Sequence, residues 1–176
     1  MTTQKQQISW LFRPLSRDFD RQSFDCGIPA LNQYLQVLAN QHQKSNISKT
    51  TVALPAPNSK EIAGYYTLNA SRLDIEALPS SSRKKLPNSL DIPCIKIGQL
   101  AVDKRYTGQR LGEELLMHAL YKCCNTSIQL GVHSIVVDAY NDTAKRFWLR
   151  YEFIPFVDQS NSLFLPIKSA RKLFEA

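Results

Sequence analysis

The spacing of apolar residues along the chain predicts an alternation of strands and helices. Short runs rich in apolar, β-branched and aromatic residues are typical of strands; they cover residues 8–15, 49–54, 62–69, 95–102, 134–139, 153–157 and 163–165. Apolar residues at helical spacing predict helices; these follow Pro29, cover residues 108–125 and 141–151, and close the chain at 168–174. This order predicts an α/β or α+β fold in which helices flank a mixed central sheet.

Length and composition indicate one ordinary globular domain. The chain has 176 residues, of which 43% are hydrophobic and 21% charged, enough to bury a sizeable core. We therefore expect a single domain over residues 1–176. No apolar run reaches the roughly 18 residues that a membrane span needs, and residues 1–10 lack the apolar stretch of a signal peptide. We expect a cytoplasmic protein with no membrane partner.

The cysteine pattern argues against a metal site. Cys26, Cys94, Cys123 and Cys124 form no CxxC pair and no Cys/His ligand spacing. We expect free, mostly buried thiols and no bound metal. Because Cys123 and Cys124 are adjacent in a helical pattern, we expect one to face the interior and the other mostly solvent.

The formal net charge of +7 favours a polyanionic partner. A phosphate-bearing cofactor and a nucleic acid both fit such a surplus. A surface charged only for solubility is the alternative, and composition alone does not separate the three.

Residues 98–120 contain the most informative pattern in the chain. A buried strand runs into a short polar turn containing Gly108, and the turn runs into a long amphipathic helix. The backbone N–H groups at a helix start are unpaired and the helix dipole is positive there, which makes an anion site. Three cations surround the turn and would strengthen such a site: Lys104, Arg105 and Arg110.

Spacing alone leaves the role of this turn open. A structural turn with a solvated basic face fits the pattern as well as a phosphate site does. A P-loop is excluded because no Gly-Lys-Ser/Thr follows. A Rossmann fingerprint is excluded because Gly108 and Gly112 are wrongly spaced and no second strand–helix–strand unit follows in order.

The segment TGQRLG at 107–112, followed by Leu115 and Leu116, resembles the acetyl-CoA-binding segment of GNAT N-acetyltransferases. That family has Gln or Arg, two residues, Gly, one residue, then Gly or Ala. Gly112 matches, whereas Thr107 stands where Gln or Arg is usual and Arg110 stands where the first Gly is usual. The resemblance implies a single GNAT domain that binds acetyl-CoA through Leu100, Ala101, Val102, Thr107, Gly108, Gln109, Arg110, Leu111, Gly112 and Asn141.

The segments FDCG at 24–27 and LAVD at 100–103 are most similar to one GNAT branch, the acetyltransferase toxins of type II toxin–antitoxin pairs. This resemblance implies that the chain acetylates the amino group of aminoacyl-tRNA and so blocks translation. It also implies a ribbon-helix-helix antitoxin as partner, encoded beside the toxin. A second copy of the chain is a further candidate partner.

Direct acetyl transfer needs a neutral amine, a polarised thioester carbonyl and a proton for the departing thiolate. The resemblance implies that the backbone of residues 100–102 contacts the pantetheine and polarises the carbonyl. It also implies that the proton donor is a Tyr, the second residue of an aromatic pair, which here is Phe147-Trp148. Indole N–H has no acidity near neutral pH. We therefore expect Trp148 to pack against the cofactor or the core.

Three outcomes remain open for the missing proton donor. Tyr151, one helical turn after Phe147 and Trp148, is a candidate substitute, although a buried structural role fits it as well. Solvent is the second source, and a weakened enzyme is the third outcome. Asn141 precedes the same helix, where N-capping and a contact to the cofactor are both expected roles.

Two competing functions remain at this point. One is a GNAT enzyme that acetylates a small-molecule or protein amine. An acidic acceptor pocket would favour this function, whereas a basic rim would favour aminoacyl-tRNA. The other is a binding protein that holds CoA or an antitoxin with little or no turnover, which the departures at Arg110 and Trp148 favour.

Overall fold

A computed structural model describes residues 9–87 and 91–175. The strands are β1 Leu11–Pro14, β2 Lys49–Leu54, β3 Gly64–Leu73, β4 Ile92–Val102, β5 Ser134–Asp138, β6 Ile154–Pro155 and β7 Ser162–Pro166. The α-helices are α1 Pro29–Gln33, α2 Ala39–Lys44, α3 Ser80–Arg83, α4 Leu111–Gln129, α5 Asp142–Arg150 and α6 Ile167–Lys172. A π-helix spans Tyr34–Leu38, and short 3₁₀ turns span Ile75–Ala77 and Lys104–Tyr106.

Seven strands in the described ranges form one sheet, in the order β1-β2-β3-β4-β5-β7-β6. The β4–β5 pair is parallel, whereas β1–β2, β5–β7 and β6–β7 are antiparallel. The predicted fold, in which helices flank a mixed central sheet, is therefore confirmed. None of the helices in the described ranges is both long and apolar enough to span a bilayer.

Several predicted boundaries differ from those observed. Helix α4 begins at Leu111, three residues later than predicted, because Gly108 and Arg110 have left-handed backbone angles that a right-handed helix excludes. Strand β3 continues to Leu73, four residues beyond the predicted end at residue 69, and it neighbours β4 in the sheet. The first predicted strand includes residue 8, which lies outside the described residues, and β1 begins at Leu11.

The chain divides into two compact units. The first contains the described residues up to Thr67 together with Gln99–Leu116. Its core is formed by Leu15, Phe24, Tyr34, Leu35, Ala39, Val52, Leu54, Ile62, Tyr65 and Ala101. The second contains Leu68–Gly98 and the chain from Met117 onward. Its core is formed by Leu73, Leu78, Ile92, Cys94, Val136 and Phe164.

The cysteines are free and mostly buried, as predicted. The expectation that one of the adjacent pair faces solvent is wrong, because Cys123 is 0% and Cys124 8% exposed. Arg171 of α6 lies near Cys124 and donates to the Ser127 hydroxyl of α4 at 2.7 Å, so this side of α4 also has a protein neighbour.

Candidate cofactor site

The last residues of β4 and the start of α4 pack closely around Gly64 of β3. A Cβ atom on Gly64 would lie 2.8 Å from Leu115 Cδ1, 3.0 Å from the Ala101 carbonyl oxygen and 3.2 Å from Leu111 Cδ2. Only glycine therefore allows this approach. Ala101 is buried, while Leu100 and Val102 on either side are half-buried, so the alternation of the strand sets which of the three predicted residues faces the core.

The cofactor turn, residues 107–110, is exposed along its whole length. Gly108 has a φ of 80° and Arg110 a φ of 63°, both in the left-handed region that favours glycine. A side chain there costs roughly 1–2 kcal/mol. Arg110 stands at the first motif glycine and adopts the backbone angle that glycine adopts easily. The turn therefore keeps a glycine-like conformation without the glycine.

Helix α4 follows the cofactor turn directly and is 19 residues long. The N–H of Glu114 donates to the Arg110 carbonyl at 3.2 Å. Glu114 is thus the first intrahelical donor, and the N–H groups of the three residues before it have no intrahelical acceptor. Together with the helix dipole, these N–H groups favour an anion. This geometry fits the phosphates of a nucleotide-containing cofactor.

The charges around the turn are more balanced than the sequence suggests. Lys104 Nζ lies 3.4 Å from Asp25 Oδ2, and Arg105 pairs with both Asp103 and Glu61 at 2.9 and 2.7 Å. Glu113 and Glu114 occupy the first turn of α4. Of the three predicted cations, Arg110 is the most available, because its side chain is 85% exposed and lies 3.9 Å from Glu113.

Asp103 is the most deeply buried charged group of this region, at 2% exposure. Burial raises the pKa of Asp103, but hydrogen bonds from Arg105 and from the Asp25 N–H outweigh this effect, so the pKa lies below its ordinary value. Burial, followed by the hydrogen bond to Glu61, raises the pKa of Tyr106 to about 12. Asp103 therefore stays ionised and Tyr106 stays protonated at neutral pH.

Helix α5 belongs to the second unit and carries the remaining predicted residues. Asn141 is its N-cap and accepts a hydrogen bond from the Ala144 N–H at 2.8 Å, which confirms the capping role. Trp148 is 6% exposed, with its ring edge-on to Phe147 and Phe153 at centroid distances of 5.2 Å each. Tyr151 is half-buried, and its ring lies 5.3 Å from that of Phe147.

The structure thus brings the predicted residues from 100 to 112 together in the first unit and places Asn141, Trp148 and Tyr151 on or beside α5 in the second. Sequence reasoning missed Asp25, Glu61 and Asp103, which pair with the cations of the segment just before the turn. The signal that could have found two of them is that each lies in a recognised segment, FDCG or LAVD. Across the described ranges, no group of three or more His, Cys, Asp or Glu side chains is arranged to hold a metal ion.

Comparison with known proteins assigns the family. The model of the "Acetyltransferase (GNAT) family" matches residues 15–153. A tRNA-acetylating toxin of Mycobacterium tuberculosis is 29% identical over 161 residues, covering 92% of this chain and 94% of the relative. This chain is also similar to a probable toxin, TacT, of Sinorhizobium fredii, with 26% identity over 88% of each chain.

Solved structures support the same family assignment. AtaT complexed with acetyl-methionyl-tRNAfMet superposes with a TM-score of 0.87 at 34% identity, covering 95% of this chain and 100% of AtaT. A tyrosine-to-phenylalanine mutant of AtaT, bound to acetyl-CoA and to the C-terminus of the antitoxin AtaR, has a TM-score of 0.81 at 30% identity, covering 95% and 99%.

Proposed function

Because this chain belongs to the GNAT acetyltransferase family, we propose that it transfers an acetyl group from acetyl-CoA to the amino group of an aminoacyl-tRNA and so acts as a toxin that blocks translation. The observation that carries this proposal is the similarity to AtaT in complex with acetyl-methionyl-tRNAfMet, which extends over 95% of this chain. The net charge of +7 supports a tRNA acceptor, since Lys and Arg side chains neutralise phosphates.

The cofactor turn and the start of α4 fit acetyl-CoA. When bound, acetyl-CoA supplies the activated acetyl thioester. The N–H groups from Gln109 to Gly112 would hold its pyrophosphate, with Thr107, Gly108 and Leu111 shaping the turn and the Arg110 guanidinium adding charge. The left-handed angles at Gly108 and Arg110 support this assignment. The backbone of residues 100–102 would align the pantetheine and donate to the acetyl carbonyl, and Asn141 would add a contact beside its capping role.

The chemistry of α5 supports a reduced rate of transfer. The departing thiolate needs a proton, and the indole of Trp148 has none to give near neutral pH. Its burial at 6% exposure supports a packing role. We propose slow acetylation, in which the thiolate leaves unprotonated or takes its proton from water. The alternative is that the Tyr151 hydroxyl replaces the missing donor, in which case the rate is not reduced.

The partner follows from the same relatives. AtaT is bound by the C-terminus of the antitoxin AtaR, and we propose that a ribbon-helix-helix antitoxin encoded beside this gene neutralises this chain. The proposed compartment is the cytoplasm, where charged tRNA resides, and a second copy of the chain is a further proposed partner.

A second candidate function is supported by a cavity of about 340 Å³ in the second unit. Its wall includes two cations, Arg72 and Lys96, and more carboxylates than cations: Asp74, Glu76, Asp138 and Asp158. Lys96 is already paired with Asp138 at 2.7 Å. An acidic cavity attracts a cationic amine, which favours acetylation of a small-molecule amine.

Incubation with labelled acetyl-CoA and total charged tRNA tests the main proposal. We expect the label in aminoacyl-tRNA, attached to the amino acid and released with it by mild base. Label in a polyamine or a protein, with none in tRNA, would support the second candidate. Binding of acetyl-CoA without any transfer would instead support a non-catalytic binding protein.

Co-expression with the neighbouring open reading frame tests the partner. We expect a small ribbon-helix-helix protein to co-purify at moderate salt, since complementary charge favours the complex. Failure to co-purify would count against the toxin assignment without affecting the acetyltransferase one.

A further inference from the structure

The FDCG segment, residues 24–27, has no role in the proposed chemistry, yet it contacts the chain just before the cofactor turn. The backbone N–H of Asp25 donates to Asp103 Oδ2 at 2.9 Å, across 78 residues of sequence. In return, the backbone N–H of Lys104 donates to the Asp25 carbonyl at 2.9 Å. The chain just after β4 and the FDCG segment thus each donate one hydrogen bond to the other.

Asp103 is the centre of this contact. Besides the Asp25 N–H, its carboxylate accepts the Arg105 backbone N–H at 2.9 Å and the Arg105 Nε and Nη2 groups at 2.9 and 3.0 Å. A carboxylate that is 2% exposed needs such partners, because an unpaired buried charge is strongly unfavourable. The ion pair therefore fixes the direction in which the chain leaves the strand.

The FDCG segment is itself rigidly held. Asp25 Oδ1 accepts from the Gly27 N–H and from Asn32 Nδ2, each at 2.9 Å. Phe24 is 1% exposed and its ring lies 5.4 Å from that of Tyr65. Gly27 has a φ of 87°, a conformation that favours glycine, and a Cβ there would lie 3.1 Å from Lys104 Cε, so a side chain would also displace that of Lys104.

The same chain segment is also held by Glu61. It pairs with the Arg105 guanidinium at 2.7 Å and accepts the Tyr106 hydroxyl at 2.7 Å. The Tyr106 ring in turn lies edge-on to the buried Trp10 ring, 5.3 Å away. Residues 103–106 are therefore held by both the FDCG segment and Glu61, and the exposed cofactor turn begins at the next residue.

We infer that Asp25 and Asp103 are positioning residues for acetyl-CoA, and that the FDCG segment anchors the cofactor turn rather than contacting the acceptor. The inference rests on the proposed function. Backbone N–H groups bind an anion well only when they already point at it. A misplacement of about 1 Å can lower the reaction rate about a hundredfold. Neither carboxylate would touch the cofactor, since both act through the chain segment 103–106.

The test compares Asp25→Asn, Asp103→Asn and the double variant with the wild type. Calorimetry gives the acetyl-CoA Kd, and steady-state kinetics with aminoacyl-tRNA give KM and kcat. We expect each single change to weaken acetyl-CoA binding at least about tenfold, since a hydrogen bond to a charged group is typically worth at least that factor, with kcat at saturating acetyl-CoA changed less than about twofold. Asp25→Asn weakens the ion pair with Lys104, and Asp103→Asn weakens the acceptor of the Asp25 backbone N–H. Because both changes loosen the same junction between the FDCG segment and residues 103–106, the double variant should lose less than the product of the two.

Asp91→Asn is the matched control, because it removes the same charge from an exposed ion pair with Arg72 in the second unit. It should leave the acetyl-CoA Kd unchanged. Asp25 is 55% exposed, so its variant should fold even where Asp103→Asn does not.

A purely structural role gives a different result, since a partly unfolded sample lowers kcat and the binding stoichiometry but leaves Kd alone. Unchanged Kd values in both single variants, with a wild type that binds, would overturn the inference. Failure of the wild type itself to bind acetyl-CoA would overturn the proposed function, and the inference with it.

Discussion

The cofactor turn and the aromatic residues of α5 both depart from the pattern of the GNAT family, but in different ways. In the turn, Arg110 replaces a glycine and still adopts a φ of 63°, so the backbone shape is kept while the side chain changes. In α5, Trp148 is still a large aromatic residue packed between Phe147 and Phe153, so the packing is kept while the acidic proton is lost. We therefore predict that the site built from backbone groups tolerates its substitution, whereas the site that depends on one side-chain proton does not.

A charge placed at the start of α4 should have the strongest effect on cofactor binding. Gly112→Asp should weaken acetyl-CoA binding about a hundredfold, or about 2.8 kcal/mol, because a carboxylate close to a pyrophosphate repels it. Calorimetry measures the effect. Gly131→Asp is the matched control, since Gly131 is exposed and a Cβ there meets no atom within 4 Å. Equal affinities for wild type and Gly112→Asp would place the cofactor elsewhere.

The second test restores the proton that α5 lacks. General acid help is typically worth about 10²–10⁴-fold in rate, so Trp148→Tyr should raise turnover at least about tenfold. The acetyl-CoA Kd should change little, because a tyrosine ring can still pack beside Phe147. Turnover is measured with labelled acetyl-CoA.

Tyr151→Phe in the native background separates the alternatives for α5. If this change abolishes activity, Tyr151 is the donor and the enzyme is not weakened by Trp148. If the native protein is already as fast as Trp148→Tyr, proton donation does not limit its rate.

A third test separates the backbone of the turn from its side chain. Arg110→Ala should weaken acetyl-CoA binding about fivefold, since a charge-assisted contact at an exposed site is worth about 1 kcal/mol. Arg110→Gly removes the same charge but also the left-handed penalty, so it should be more stable than Arg110→Ala by about 1 kcal/mol. Urea denaturation measures that difference. Equal stabilities would show that the angle at residue 110 carries no cost.

The two regions should also differ slightly in how the free energy of unfolding responds to acid. The folded-state pKa of Asp103 lies below its ordinary value of 3.8, so its contribution to stability is present above that value and is lost as the pH falls through the lower, folded pKa. The free energy of unfolding should therefore fall less steeply below pH 3.8 in Asp103→Asn than in the wild type. Trp148→Tyr should leave the acid slope unchanged, because neither side chain titrates there. Parallel curves for wild type and Asp103→Asn would contradict the lowered pKa.

The sequence predicted the features that depend on local pattern. The strand, polar turn and amphipathic helix over 98–120 were all predicted, because they depend on the spacing of apolar residues and glycines that are close in sequence. The left-handed angle at Arg110 was not predicted, since most residues other than glycine avoid it. The start of α4 was therefore placed three residues too early.

Long-range electrostatics could not be read from the chain in the same way. Lys104 and Arg105 looked available to a phosphate, but Asp25 and Glu61 pair with them from more than 40 positions away. The contact between Asp25 and Asp103 likewise depends on folding that brings two distant segments together. The sequence gives the sign of each charge but not its partner in the fold. Lys104 and Arg105 were therefore expected to be more available to a phosphate than they are.

The ring contact between Trp10 and Tyr106 has a practical consequence for spectroscopy. The chain contains two tryptophans, both 6% exposed, with Trp10 in the first unit and Trp148 in the second. The Trp148→Tyr protein therefore carries a single tryptophan, and that tryptophan lies against the segment that precedes the cofactor turn. Its emission during a titration reports on this segment without any attached dye, so one variant serves both the rate measurement and an optical view of ligand binding.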